Sequence, residues 1–166
     1  MTSTVGMLTI VGLLNGLIGV QVPPSLSEVR ELYLQAVQDK AAIAQGLETI
    51  ERIRAARALQ PMGTSGAFTA EETVLDAYEG ALITLRAKHN LWPPTRLRHL
   101  REGLAILDES VAHEPAHAEV RYLRLLSCYY LPAILGRGDS VREDLAALAE
   151  LLPAAAEQFP PNLYRT

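Results

Sequence analysis

Between Thr95 and Pro115 the apolar residues Leu97, Leu100, Leu104, Leu107 and Val111 recur in steps of 3, 4, 3 and 4. That spacing puts all five on one stripe of an α-helix but scatters them over both faces of a strand. The segment can therefore bury a continuous apolar surface only as a helix. The same period recurs on both sides of it. Leu26, Val29, Tyr33 and Val37 share a face over 26–37, and Ile43, Leu47, Ile50 and Ile53 over 40–59. Val74, Tyr78, Ala81, Leu82 and Leu85 do so over 70–90. Val120, Leu123, Leu126 and Tyr130 follow from 117 to Pro132, then Val141, Leu145, Leu148 and Leu152 over 140–152. A short tail helix is expected over 153–159. No stretch alternates with period two, so the chain reads as all-α. Short connectors make consecutive helices antiparallel hairpins.

The helix ends carry their own signals. Ser25 with Glu28, Thr69 with Glu72 and Ser140 with Glu143 each have the spacing of a capping box, in which side chain and backbone satisfy each other across the first turn. Pro23-Pro24, Pro93-Pro94, Pro115 and Pro132 interrupt the pattern, because proline lacks the N–H that continues a helix. Residues 60–68 form the longest polar, glycine-rich break and read as a mobile loop. Arg52, Arg54 and Arg57 fall late in the second helix, where cations complement the helix dipole.

The first 27 residues contain no charged side chain. Within them Val5–Val22 is apolar apart from Thr9, Asn15, Gln21 and glycines, and as a helix it would extend about 27 Å, just short of a ~30 Å hydrocarbon core. A cleaved signal would carry Lys or Arg before this run and a small-x-small exit after it, and neither is present. A buried helix of a soluble domain is a further reading. The favoured one is a retained membrane anchor, with Gly12, Asn15, Gly16 and Gly19 on the surface where a second membrane helix could approach and hydrogen-bond. Domain organisation follows: 1–24 as an anchor or signal-like segment, 25–166 as one helical domain.

Composition narrows the function. The 166 residues suit a single domain, with 49% hydrophobic and 20% charged side chains. The net charge of −4 argues against a nucleic-acid binder, which normally has a basic excess. A single cysteine, Cys128, excludes an intrachain disulfide and any multi-cysteine metal site. It reads as a buried apolar thiol.

The run Gly103-Leu104-x-x-Leu107-x-x-Ser110-Val111-x-x-x-Pro115 resembles the second helix of a tetratricopeptide repeat and its terminating proline. Gly103 and Ser110 stand where small residues admit the neighbouring helix, and Ala118-Glu119-Val120-Arg121-Tyr122 looks like the opening of the next repeat. Arg124-Leu125 replaces the usual Leu-Gly pair, and the connector 91–95 is longer than the standard turn. From Ala77-Tyr78-Glu79-Gly80-Ala81 through Trp92-x-Pro94 to Pro132-x-x-Leu135-Gly136, the chain is similar to small exported tetratricopeptide-like proteins of bacteria. The resemblance covers roughly residues 75–136. It implies a short array of stacked hairpins and an envelope location, and it brings no activity with it.

Four features could carry chemistry. His113-Glu114-Pro115-Ala116-His117 matches the H-E-x-x-H zinc-peptidase pattern, which needs both imidazoles on one helical face. Pro115 lies between them and would break that helix, so an interhelical turn is expected and no metal is assigned. Residues 86–101 hold Arg86, Lys88, Arg96, Arg98 and Arg101 with His89 and His99 and no acid, a cluster suited to an anionic partner. Trp92 stands beside two prolines, either as a partner anchor or, as favoured here, folded back as a lid over the helix pair. Tyr129, next to Tyr130, lies at a groove rim or in the core.

These readings combine into a non-catalytic tetratricopeptide-like scaffold that binds protein, needs no cofactor, and touches the membrane through residues 5–22. Its expected place is the bacterial inner membrane, helical domain on the periplasmic side, as an accessory subunit of an electron-transfer, photosynthetic, secretion or envelope-assembly complex. The alternative is a soluble periplasmic protein whose groove binds a small hydrophobic or anionic ligand. A zinc hydrolase using His113, Glu114 and His117 is third.

Overall fold

The computed structural model describes residues 24–59 and 69–155. The 5–22 segment with Gly12, Asn15, Gly16 and Gly19, the 60–68 loop and the chain beyond 155 lie outside the described residues. Among the described residues are six α-helices, one 3-10 turn and no strand: α1 Leu26–Ala36, α2 Lys40–Ala58, α3 Ala70–Lys88, α4 Pro93–His113, α5 Ala118–Tyr129, the turn Ala133–Leu135, and α6 Gly138–Ala155. The all-α reading holds. No helix among them is long and apolar enough to cross a membrane.

Two of the three expected caps form. Ser25 accepts from the Glu28 N–H and Thr69 from the Glu72 N–H. The Glu72 carboxylate does not reach back to its cap, because Arg54 and Arg57 of α2 take it. The third cap is displaced. α6 opens two residues earlier than Ser140, with the Arg137 carbonyl accepting from Val141, and Glu143 turns to Arg121 and Arg124. α4 also begins early. Pro93 and Pro94 occupy its first turn, where a missing N–H costs nothing since that group has no intrahelical acceptor. Pro153 does not open a tail helix; it sits in the last turn of α6.

The helices pair most extensively as α1–α2, α3–α4 and α5–α6. The α3–α4 pair crosses through glycines. A Cβ on Gly80 would stand 2.8 Å from the Gly103 carbonyl oxygen, and one on Gly103 would stand 2.8 Å from the Thr84 backbone nitrogen. Beside this crossing lies Leu107, fully buried. Burial of a leucine contributes roughly 1.5–3 kcal/mol. Four of the five stripe positions that identified α4, Leu100, Leu104, Leu107 and Val111, lie in the core, whereas Leu97, in the first turns, is only half-buried and stays outside it. Val29, Tyr33, Ile50, Tyr78, Leu82 and Leu123 join it from α1, α2, α3 and α5.

Two expected phases drift. Tyr130 ends its predicted stripe exposed, because α5 stops at Tyr129. In α6, Leu145 is half exposed, whereas its neighbour Asp144 is fully buried. Val141, Leu148 and Leu152 of the expected stripe do pack on the core, and Asp144 shares that inward side through a salt-bridge cluster.

Candidate functional site

Among the described residues eight arginines pair with carboxylates. Arg30 meets Glu119, Arg52 meets Glu28, and Arg54 and Arg57 meet Glu71, Glu72, Asp76 and Glu79. Arg121, Arg124 and Arg137 share Asp108, Glu143 and Asp144, and Arg142 meets Asp139. These contacts are structural. Glu119, almost fully buried, takes two hydrogen bonds from Arg30 at 2.8 and 2.7 Å and one from the Tyr78 hydroxyl at 2.6 Å, fastening α5 to α1 and α3. The Glu119 hydrogen bond raises the Arg30 pKa, and burial, then the Glu119 charge, raises that of Tyr78. Such a carboxylate is spent on neighbours and offers no open acceptor for proton transfer.

The other six lysines and arginines of the described residues have no carboxylate partner. They are Lys40, Arg86, Lys88, Arg96, Arg98 and Arg101, and five fall in the 86–101 cluster. The sixth, Lys40, is the first residue of α2. The fold carries it there because α1 ends against the end of α3. Lys88 Nζ donates to the Val37 carbonyl at 2.6 Å, and His89 Nε2 lies 3.0 Å from the Ala36 carbonyl. These bonds satisfy carbonyls that the α1 terminus leaves open. Lys88 is thereby committed to the fold.

The rest divide between two hollows. Pro94, Leu97, Arg98, Arg101 and Glu102 line a broad, shallow depression on the outer side of α4. Lys40, Ile43, Ala44, Arg86, His89, Asn90 and His99 line a smaller cleft of about 260 Å3 where α2, α3 and α4 meet. No carboxylate of the described residues lines that cleft. Arg96 is exposed and lines neither.

Trp92 is 66% exposed and Leu91 is 98% exposed, so the tryptophan is no lid. The chain cannot fold it back because Trp92 caps α4, its N–H donating to Asn90 Oδ1 at 2.9 Å, and Pro93 fixes the direction that follows. Tyr129 lines neither hollow; it is half exposed at the end of α5, edge-on to Tyr130.

His113 is the last residue of α4 and His117 the cap of α5. Pro115 thus separates the two histidines into different helices, and the one-face geometry of the zinc pattern is not made. No group of three or more metal-ligating side chains occurs among the described residues. Cys128 is buried, which raises its pKa and disfavours the thiolate.

No family model, curated protein or solved structure matches this chain. Fold alone does not fix function, and the chemistry of the site has to carry it. Sequence reasoning found the 86–101 cations and both histidines but missed Lys40, Ile43, Ala44 and Asn90. Only the packing of α2 on α3 makes them neighbours.

Proposed function

We propose that this protein is a non-catalytic, tetratricopeptide-like scaffold that binds an acidic partner protein through the end of the α3–α4 hairpin. One observation carries the reading: among the described residues eight arginines are matched to carboxylates, whereas Arg86, Arg96, Arg98 and Arg101 around the α3–α4 turn are left open near exposed Leu91 and Trp92. An exposed tryptophan a few residues before three arginines without acid partners has the composition of an interface anchor. Arg96, Arg98 and Arg101 supply long-range attraction to an acidic surface, which governs encounter and register more than tightness. The resemblance to exported bacterial proteins and the uncharged 5–22 segment support a place as an accessory subunit at the bacterial inner membrane, domain on the periplasmic side.

Purification from native membranes, with identification of the chains that co-elute, tests this directly. Charge reversal at Arg96, Arg98 and Arg101 together should release the partner, and Trp92→Ala should weaken it. Arg142→Glu, which alters an exposed pair on α6, should leave it bound. Undiminished co-elution after the triple reversal defeats the assignment of this surface. Carbonate extraction and intact mass test the anchor: release by carbonate, or a chain beginning after residue 20, would remove it.

A further inference from the structure

The cleft at the junction of α2, α3 and α4 has a chemistry of its own, separate from the outer face of α4. Its polar lining consists of Lys40 from the first turn of α2, Arg86, His89 and Asn90 from the end of α3, and His99 from α4. Its apolar lining is Ile43 and Ala44. Lys40 and Arg86 have no hydrogen bond or ion pair among the described residues. The Nδ1 of His99 is buried without a hydrogen-bond partner, and Glu102, at 3.8 Å, is too far to supply one. That nitrogen has no surface open to the cleft, so His99 contributes to the lining by its other atoms. His89 gives its Nε2–H to the Ala36 carbonyl, which fixes the ring. Asn90 accepts the Trp92 backbone N–H at its amide oxygen and keeps its NH2 as donor.

We propose that this cleft is a binding site for a soluble oxyanion of the phosphate class. Lys40, Arg86 and Asn90 line the cleft with donors that no other described residue takes, and a tetrahedral oxyanion presents acceptor oxygens in several directions at once. Arginine and lysine are the residues that bind such a group, by planar fork and by point charge. Two uncompensated cations in a concave site repel each other, and a low-dielectric wall focuses their field on whatever enters. At about 260 Å3 the cleft falls below the roughly 300–1,000 Å3 of sites for drug-sized ligands, which suits a compact anion and not an acyl chain or a peptide. The inference stands apart from the scaffold reading: the partner surface lies at Trp92 and the outer arginines, and either site could fail without the other.

The experiment is a titration of the full chain with inorganic phosphate and then pyrophosphate at constant ionic strength, followed by calorimetry and by histidine 15N spectra. Saturable one-to-one binding is expected, with the His99 nitrogen signals moving along the binding curve. Arg86→Gln and Lys40→Gln should each weaken binding at least tenfold, while Arg98→Gln, in the other hollow, should change it less than twofold. Both cleft residues are exposed, so their variants should melt with the unmodified chain in the absence of phosphate. If one does not, the histidine signals of the unmodified chain still decide. Three outcomes overturn the proposal: an equal response to chloride, equal losses from Arg86→Gln and Arg98→Gln, or binding only to vesicles containing phosphatidylglycerol and not to free phosphate.

Discussion

The two ends of α3 handle charge in opposite ways. At its start Glu71, Glu72, Asp76 and Glu79 receive Arg54 and Arg57 from α2, so four acids are met by two cations that arrive through the fold. At its end Lys88 is tied only to the Val37 carbonyl, Arg86 stays open without an acid, and the fold brings a further open cation, Lys40, instead. Helix dipoles account for the sign at each end, since acids favour a helix start and bases its finish. They do not account for the pairing. An end that is tied to a neighbour serves cohesion, and an end whose cations stay open is available to something outside the chain.

The largest effect is expected where pairing is tightest. Asp144 is fully buried and receives Arg121 at 2.9 Å and Arg124 at 2.8 Å. Burial works against the Arg124 charge, but the hydrogen bond and charge of Asp144, together with the charges of Glu143 and Asp108, outweigh it and hold its pKa above the ordinary value. Asp144→Ala leaves two buried guanidiniums without their central anion, and breaking a buried pair costs about 3–5 kcal/mol. Denaturant unfolding should read that loss. A cost near zero would mean that Glu143 and Asp108 alone hold the arginines, and that paired and open ends differ less than their geometry says.

Next comes the glycine crossing. Gly103→Val places its Cβ against backbone on α3, which cannot yield as a flexible side chain can, and overpacking of this kind costs about 1–3 kcal/mol. Gly138→Ala is the control: the nearest atom to its Cβ would be Arg142 Nη1 at 3.6 Å, so stability should not fall.

At the open end the expected change in stability is small. Arg98→Ala and Arg101→Ala alter exposed side chains with no ion pair, and each should shift unfolding by under about 0.5 kcal/mol. Removing Arg86 should be neutral or slightly stabilising, since it relieves repulsion from Lys40. A loss above 1 kcal/mol, roughly twice the surface norm, would place these arginines among the structural ones.

The contrast also separates what the sequence discloses from what it does not. The leucine stripe of α4 and the close approach at Gly103 were legible because a helix period is local: residues three and four apart share a face whatever surrounds them. The caps at Ser25 and Thr69 were legible for the same reason. Asp144 was not. It lies one residue before Leu145 on an apolar-looking helix, and only the distant Arg121 and Arg124 make its burial tolerable. Glu119 was hidden likewise, since Arg30 lies 89 residues away. For the candidate site the cation run 86–101 stood out, and the cleft did not. Lys40 reaches it only through the packing of α2, and no spacing rule connects residue 40 with residue 99.

The smallest expected effect is a pH dependence that differs between the two ion clusters. Glu143, exposed beside Arg121 and Arg124, has its carboxyl held below its usual 4.5, first by the Arg121 hydrogen bond and then by the Arg124 charge. Its contribution to stability is therefore complete above about pH 4.5, the unfolded value, and is lost as pH falls through its lowered folded value. Asp76 runs the other way. Burial, the largest influence, raises its carboxyl above the usual 3.8 despite the charge of Arg54. The folded state then takes up that proton more readily than the unfolded chain, so acid favours folding at Asp76. Acidification should thus loosen the α5–α6 contact before the α2–α3 contact, read by amide exchange of α6 against α3 between pH 6 and pH 3. Glu143→Gln should flatten the α6 response and leave that of α3 unchanged. Simultaneous loosening of both helices would mean that the two clusters titrate as one, and that local charge balance does not divide the molecule.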